Sequence, residues 1–126
     1  MLFFLASAYP YPPEQFSLYN ELNQKTKDLE ISIKALRQKG TAYAQAEHDY
    51  KVLLRQEYLK LRDSGKAVGE CTMTVYGIPS VARARFNRDV AEVVYKANQE
   101  AINGIKLQMR LLESQIQREW GANLSE

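Results

Sequence analysis

Two long stretches of the chain carry apolar residues at helical spacing, and a short segment marked by glycine and proline separates them. Every seventh residue along much of the first stretch is apolar or aromatic: Leu22, Leu29, Leu36, Tyr43 and Tyr50. The second stretch has a similar stripe, with steps of mostly three or four residues: Phe86, Val90, Val94, Ala97, Ala101, Ile105, Leu112, Ile116 and Trp120. Such spacing places the side chains on one face of a helix. The pattern predicts two long helices, over about residues 14–64 and 79–120.

Gly40 is the one position that argues against a continuous first helix. Glycine inside a helix costs about 1 kcal/mol relative to alanine. The residue therefore either divides the segment or lies within one helix. The apolar stripe keeps its phase through Gly40, and no proline accompanies it, so we favour a continuous helix. The nearby alanines, Ala42, Ala44 and Ala97 among them, predict a zone of small residues where two helices approach closely.

The connecting segment, residues 65–78, is compatible with a short strand or with a single helical turn. Cys71, Met73 and Val75 alternate with polar or aromatic residues, as in a strand. Two helices joined by a short connection usually fold back on each other. We therefore predict an all-α fold, namely a long antiparallel helical hairpin of coiled-coil type with a short irregular tip. The two stripes are wider than one hairpin buries, which predicts a homo-oligomer.

The N-terminal residues 1–13 form a separate apolar arm in this interpretation, and residues 14–126 form the single hairpin domain. The arm contains a Tyr9–Pro13 run whose prolines favour extended backbone. Its apolar stretch is short and lacks a basic start, unlike a secretory signal. No stretch reaches the roughly 18 apolar residues of a membrane span. With Cys71 as its only cysteine, the chain forms no internal disulfide, so a reduced cytoplasm is the expected location.

Residues that commonly carry chemistry are few in this sequence. His48 is the only histidine, and its neighbours Glu47 and Asp49 point in other directions on a helix. Cys71 has no second cysteine and no nearby histidine, which favours a packing role. No glycine-rich phosphate loop is present. We therefore expect neither a catalytic nor a metal site, no cofactor, and no enzymatic activity.

The positive charge is concentrated in the middle of the chain. Residues 51–88 carry a net charge of +5 and the rest of the chain −3. A hairpin would bring the basic residues of both helices to one end, where they would attract phosphates or acidic surfaces. The candidate binding residues are Lys60, Arg62, Lys66, Tyr76, Arg83, Arg85 and Arg88. A solvated charged face with no binding role explains the same residues equally well. Cations near a helix N-terminus are unfavourable, so Arg83, Arg85 and Arg88 at the start of the second helix are expected to serve binding.

Four segments of the sequence resemble small uncharacterised helical proteins of phages and prophages of Gram-positive bacteria. They are residues 35–44 (ALRQKGTAYA), 88–97 (RDVAEVVYKA), 100–103 (EAIN) and 112–120 (LESQIQREW). The resemblance spans most of the chain except the arm. It implies a phage origin and action inside a bacterial host, and it assigns no functional residues.

These observations favour a non-enzymatic protein-binding module of phage type that acts on a host protein or nucleoprotein complex. Inhibition of a bacterial defence system, as by an anti-CRISPR protein, is the concrete form of this hypothesis. The alternative is a DNA- or RNA-binding accessory protein of phage replication or recombination that uses the basic tip. A purely structural or assembly role is a third interpretation, which no particular residue supports.

Overall fold

The computed structural model describes residues 13–124, with side chains from residue 17 to residue 121. This part of the chain contains three α-helices and no strand: α1 (Pro13–Asp63), α2 (Val68–Val75) and α3 (Pro79–Leu124). The predicted all-α class and the two long helices are confirmed. The predicted arm lies outside the described residues except for Pro13, which begins α1.

The chain divides into two compact units. The central unit comprises residues 35–99 and contains the second half of α1, all of α2 and the first part of α3. Within the described residues, the terminal unit comprises 13–34 and 100–124. In the terminal unit, Ile102 and Ile116 of α3 are buried, and Leu22 and Leu29 of α1 are half-buried. No helix in the described part of the chain has the length and apolar character needed to cross a membrane.

The core of the central unit joins all three helices. Tyr50 of α1, Val75 of α2 and Val81 of α3 are buried and form one cluster. Half-buried side chains pack around this cluster: Leu53, Leu54, Tyr58, Leu61, Ile78 and Ala84. Burial of apolar surface is the main force that holds such a cluster together. The short helix α2 is therefore part of the core of this unit.

The turn between α1 and α2 is a glycine-terminated helix end. Gly65 has a φ of +94°, which a residue with a side chain rarely adopts. Its N–H donates to the Arg62 carbonyl at 3.0 Å, and the Lys66 N–H donates to the Leu61 carbonyl at 3.4 Å. These two bonds define a Schellman motif. Gly65 ends the first helix as its position in the sequence suggests, and Pro79 begins α3 in the same predicted way.

The connecting segment forms a helix of eight residues instead of a strand. Cys71 and Val75 lie one helical turn apart and are both buried, whereas Met73 between them is 85% exposed. The alternation of apolar residues suggested a strand, but only Cys71 and Val75, four positions apart, pack inward, as on a helix. The Cys71 N–H donates to the Ala67 carbonyl at 2.9 Å in the first turn of α2.

The stripe predicted on α3 is wrong in the central unit. The buried or half-buried residues there include a series alternating by three and four positions: Val81, Ala84, Arg88, Ala91, Tyr95 and Asn98. The predicted residues Phe86, Val90 and Val94 are exposed. We call this series the seam. Residues of one helix that pack along another recur on average every 3.5 positions, as these do. Here those positions are less apolar than the exposed stripe beside them.

The first helix continues through Gly40, as expected. A Cβ added there would lie 3.1 Å from Cε2 of Tyr95, whose ring centroid is 6.0 Å from that of Tyr43. An aromatic ring therefore occupies the space beside the glycine. Of the alanines expected in a zone of small residues, Ala42, Ala44 and Ala97 are exposed and Ala46 is half-buried, and the ring of Tyr95 is what lies beside Gly40.

Candidate binding surfaces of the central unit

An exposed apolar surface runs along α3 on the side away from the seam. We call it the α3 face and define it by Phe86, Val90, Val93 and Val94. Their exposed fractions are 59%, 45%, 67% and 40%, respectively. Together with Asp89 they line a shallow hollow of about 250 Å³. Single exposed apolar residues are ordinary, but a contiguous row of four is typical of an interaction surface.

Ion pairs lie close to the α3 face on the same helix. Nη2 of Arg88 is 2.8 Å from Oδ1 of Asp89, and Nζ of Lys96 is 2.7 Å from Oε1 of Glu92. The hydrogen bond from Lys96 lowers the pKa of Glu92 and raises the pKa of Lys96. Both pairs keep charged groups ordered along α3 beside its apolar row.

The predicted basic residues at the end of α1 have local partners. Nζ of Lys60 is 3.0 Å from Oε1 of Glu57, on an exposed part of the helix. Nη1 of Arg62 donates to the Lys66 carbonyl at 2.8 Å, which ties the end of α1 to the turn that follows it. Arg62 therefore has a structural role that the sequence pattern did not indicate.

The residues predicted at the start of α3 divide into two environments. The Arg85 guanidinium lies over the ring of Tyr76, 5.8 Å from its centroid, and both residues are exposed. Arg83 is also exposed, and no carboxylate among the described residues forms an ion pair with it. Arg83 and Arg85 are thus available to a ligand of the central unit.

Arg88 does not belong to the exposed basic surface. Its side chain is only 22% exposed, and its guanidinium lies 4.7 Å from the centroid of the buried Tyr50 ring. Nε and Nη2 of Arg88 both donate to Oδ1 of Asp89, and these bonds raise the pKa of the arginine. Arg88 fills a half-buried position of α3, so it has a packing role that the sequence pattern did not indicate, and its role in binding stays a prediction.

A cavity of about 310 Å³ lies between α1 and α2 and was not predicted. We call it the cation cavity, because Lys51 and Arg55 line it and none of its described lining residues is acidic. Tyr58, Thr72 and Tyr76 also line it. The sequence did contain a signal: Lys51, Arg55 and Tyr58 lie at i, i+4 and i+7 and so share one face of α1.

Cysteine and histidine are often associated with catalysis or metal binding, but Cys71 and His48 line neither the α3 face nor the cation cavity. Cys71 is fully buried, and its thiol donates to the Lys66 carbonyl at 3.5 Å. Nδ1 of His48 lies 3.3 Å from Oδ1 of Asp49 on an exposed surface, and hydrogen bonds from Gln45 and His48 lower the pKa of Asp49. Within the described residues, no group of three or more His, Cys, Asp and Glu side chains is arranged to hold a metal ion.

Comparison of the chain with protein families, curated proteins and solved structures finds no match.

Proposed function

We propose that the protein is a non-enzymatic helical hairpin that self-associates and acts by binding a protein target. The exposed α3 face is the observation that carries the self-association in this proposal. The hairpin is supported by two contacts in the central unit, Tyr50 with Arg88 and Tyr43 with Tyr95. The residues of each pair are equally distant from position 69 in α2. Such symmetry is expected when α1 and α3 run in opposite directions from the connecting segment.

The partner of the α3 face in this proposal is a second copy of the chain. If two copies of α3 cross antiparallel, Phe86 of each lies level with Ala97 of the other, and Val90 lies level with Val93. In the first of these pairs a large side chain faces a small one, and in the second two valines meet, which allows close packing across the interface. Asp89 and Lys96 lie on the same edge of the α3 face. In the antiparallel dimer, Asp89 of one copy lies within a few residues of the level of Lys96 of the other. Opposite charges therefore meet at both ends of the dimer.

Sedimentation velocity of the variant Val93→Glu tests the self-association. Wild type is expected to sediment as a species of twice the 14.5 kDa chain mass, and Val93→Glu as a monomer, because a carboxylate at the centre of the interface is costly to bury. Ile31→Glu is the matched control, since Ile31 is 66% exposed and Val93 67%. A monomeric wild type, or equal dissociation by both variants, would reject the α3 face as a dimer interface.

The target is proposed to be a host protein of a bacterial defence system, and the site of action the bacterial cytoplasm. The resemblance to phage and prophage proteins supports this part of the proposal. In a cleavage assay with a reconstituted CRISPR nuclease, the protein is expected to inhibit cleavage of target DNA in a dose-dependent manner. Full cleavage by nucleases of several types at a large excess of folded protein would count against this target.

The second candidate function is that of an accessory protein that binds DNA or RNA. The exposed cations and aromatic rings of the central unit favour it, since Arg83, Arg85 and Tyr76 are all accessible. Phosphate contacts make such binding fall steeply with salt. A gel shift at low salt on single-stranded and double-stranded DNA tests this function. Absence of a shift for both DNAs at tens of micromolar protein would eliminate DNA binding.

A further inference from the structure

The cation cavity combines apolar lining residues with exposed cationic and aromatic groups. Val75 is 2% exposed and belongs to the core cluster, and Leu54 packs against that cluster. These two side chains form the apolar base of the cavity, and the half-buried Tyr58 and the exposed Tyr76 add two aromatic rings. At about 310 Å³, the cavity has the volume of a small organic-ligand site.

Two cations, one helical turn apart on α1, give the cavity its charge. Lys51 also forms an ion pair with Glu47 at 3.4 Å, but the lysine side chain is 70% exposed and this pair is weak. The Arg55 guanidinium lies 5.8 Å from the centroid of the Tyr58 ring. Stacking over a ring leaves the N–H groups at the edge of a guanidinium free to donate to an anion. The cavity therefore offers several hydrogen-bond donors to a single oxyanion.

A third cation lies next to the cavity on another helix. Arg85 of α3 stacks over Tyr76, which lines the cavity from the end of α2. Thr72 adds a hydroxyl group, whose proton is donated to the Val68 carbonyl at 2.9 Å. The site is thus positive, contains aromatic rings and has an apolar base, a combination that suits a ligand with both a phosphate and a planar ring.

We propose that the cation cavity binds one nucleotide, with its phosphate held by Lys51 and Arg55 and its base stacked on Tyr76. Stacking on tyrosine tolerates every base, because each has a flat face. The nucleotide is either free or part of a single strand, since both present the same phosphate and base. This site shares no residue with the α3 face, so it stands or falls separately from self-association. It would provide the second candidate function with a defined contact.

The test uses the full chain and three probes: adenosine monophosphate, a short fluorescent oligothymidylate and inorganic phosphate. Wild type is expected to bind the oligothymidylate with a slope of log K against log[salt] of about −0.7, the value for one neutralised phosphate. The double variant Lys51→Gln with Arg55→Gln is expected to abolish this salt dependence and to weaken binding about tenfold or more. The matched control is Arg37→Gln with Lys39→Gln, which removes the same charge from exposed positions of α1 outside the cavity.

The source of the nucleotide and the role of the ring are read from the same experiment. Binding of adenosine monophosphate alone identifies a free nucleotide, and binding of the oligothymidylate alone identifies a strand. Tyr76→Leu is expected to weaken both organic probes more than inorganic phosphate. The proposal is overturned if no probe binds, or if Lys51→Gln with Arg55→Gln weakens binding no more than the control. It is also overturned if inorganic phosphate competes as well as adenosine monophosphate, or if an acidic peptide displaces the probe. Val93→Glu should bind nucleotide like wild type even if it dissociates the dimer.

Discussion

Replacing Gly40 with alanine tests how closely α1 and α3 pack in the central unit. Alanine at a mid-helix glycine normally stabilises a protein by about 1 kcal/mol. Here the new methyl group would lie 3.1 Å from Cε2 of Tyr95 and 3.6 Å from Cδ2. Carbon atoms pack best at about 3.5–4.0 Å, so the ring must retreat by roughly 0.4 Å. Its neighbour Tyr43, 6.0 Å away between centroids, restricts that movement.

Overpacking of this kind costs about 1–3 kcal/mol, which offsets or exceeds the gain in helix propensity. We therefore expect Gly40→Ala to leave the free energy of unfolding unchanged or to lower it by up to about 2 kcal/mol. Gly104→Ala is the matched control, because an added Cβ there would meet no atom within 4 Å. That variant should gain the full increment of about 1 kcal/mol.

Urea unfolding followed by far-UV circular dichroism measures both effects, at one protein concentration because self-association would otherwise shift the midpoint. A third variant separates packing from propensity. In a Tyr95→Leu background the ring is gone, and Gly40→Ala should then stabilise by about 1 kcal/mol. If Gly40→Ala stabilises the wild-type chain as much as Gly104→Ala does, the close approach of Tyr95 to α1 is wrong.

Three further predictions concern single side chains. Arg88→Ala should lower the free energy of unfolding by about 1–2 kcal/mol, through loss of its contact with the buried ring beneath it, whereas Arg83→Ala should change it by less than about 0.5 kcal/mol in the same urea experiment. The Cys71 thiol should resist a thiol reagent until urea unfolds the protein, and rapid labelling of the native chain would contradict its burial. Glu92 should titrate below its ordinary pKa by NMR and return towards the ordinary value in Lys96→Met. Because that pKa is lowered by folding, the stability from this pair is present above the ordinary glutamate pKa and is lost as pH falls through the lowered one.

The long helices were predictable because their signals are local and repeated. Pro79 lies at the start of α3, and Gly65 adopts the positive φ that ends α1. Position in the sequence is enough to place such residues, because proline fits the first turn and glycine tolerates the left-handed conformation. The continuity of α1 through Gly40 followed from the unbroken phase of its stripe. None of these features requires knowledge of what packs against the helix.

The buried face of α3 was not predictable from apolar content. Phe86 and Val90 are exposed, whereas Arg88 and Tyr95 lie in the seam. Arginine is a poor core residue by composition, but here its charge is paired with a carboxylate and its guanidinium covers a tyrosine ring. Which face turns inward depends on contacts with another helix, and a single helical pattern holds no information on those contacts.

Only part of the cation cavity was predictable, again because its shape depends on contacts between helices. The concentration of positive charge in residues 51–88 is visible in the sequence, and Arg85 and Tyr76 are indeed exposed together. The cavity itself depends on α2, whose helical form the alternation of Met73 with its neighbours concealed. Lys51 and Arg55 lie in the charged region but were not predicted as site residues. The sequence did not place the residues of α2 that line the cavity opposite them.

The two proposed surfaces have a joint consequence for binding. The α3 face and the cation cavity lie on different residues of the central unit, so a dimer formed through the first would carry two copies of the second. A free nucleotide would occupy each cavity independently. A strand long enough to reach both would bind the second cavity at a high effective concentration, which strengthens binding without any new contact. Dimerisation would then favour strands over free nucleotides, and Val93→Glu should weaken a long oligothymidylate while leaving adenosine monophosphate unaffected. Equal affinity of monomer and dimer for long strands would show that the two cavities do not act together.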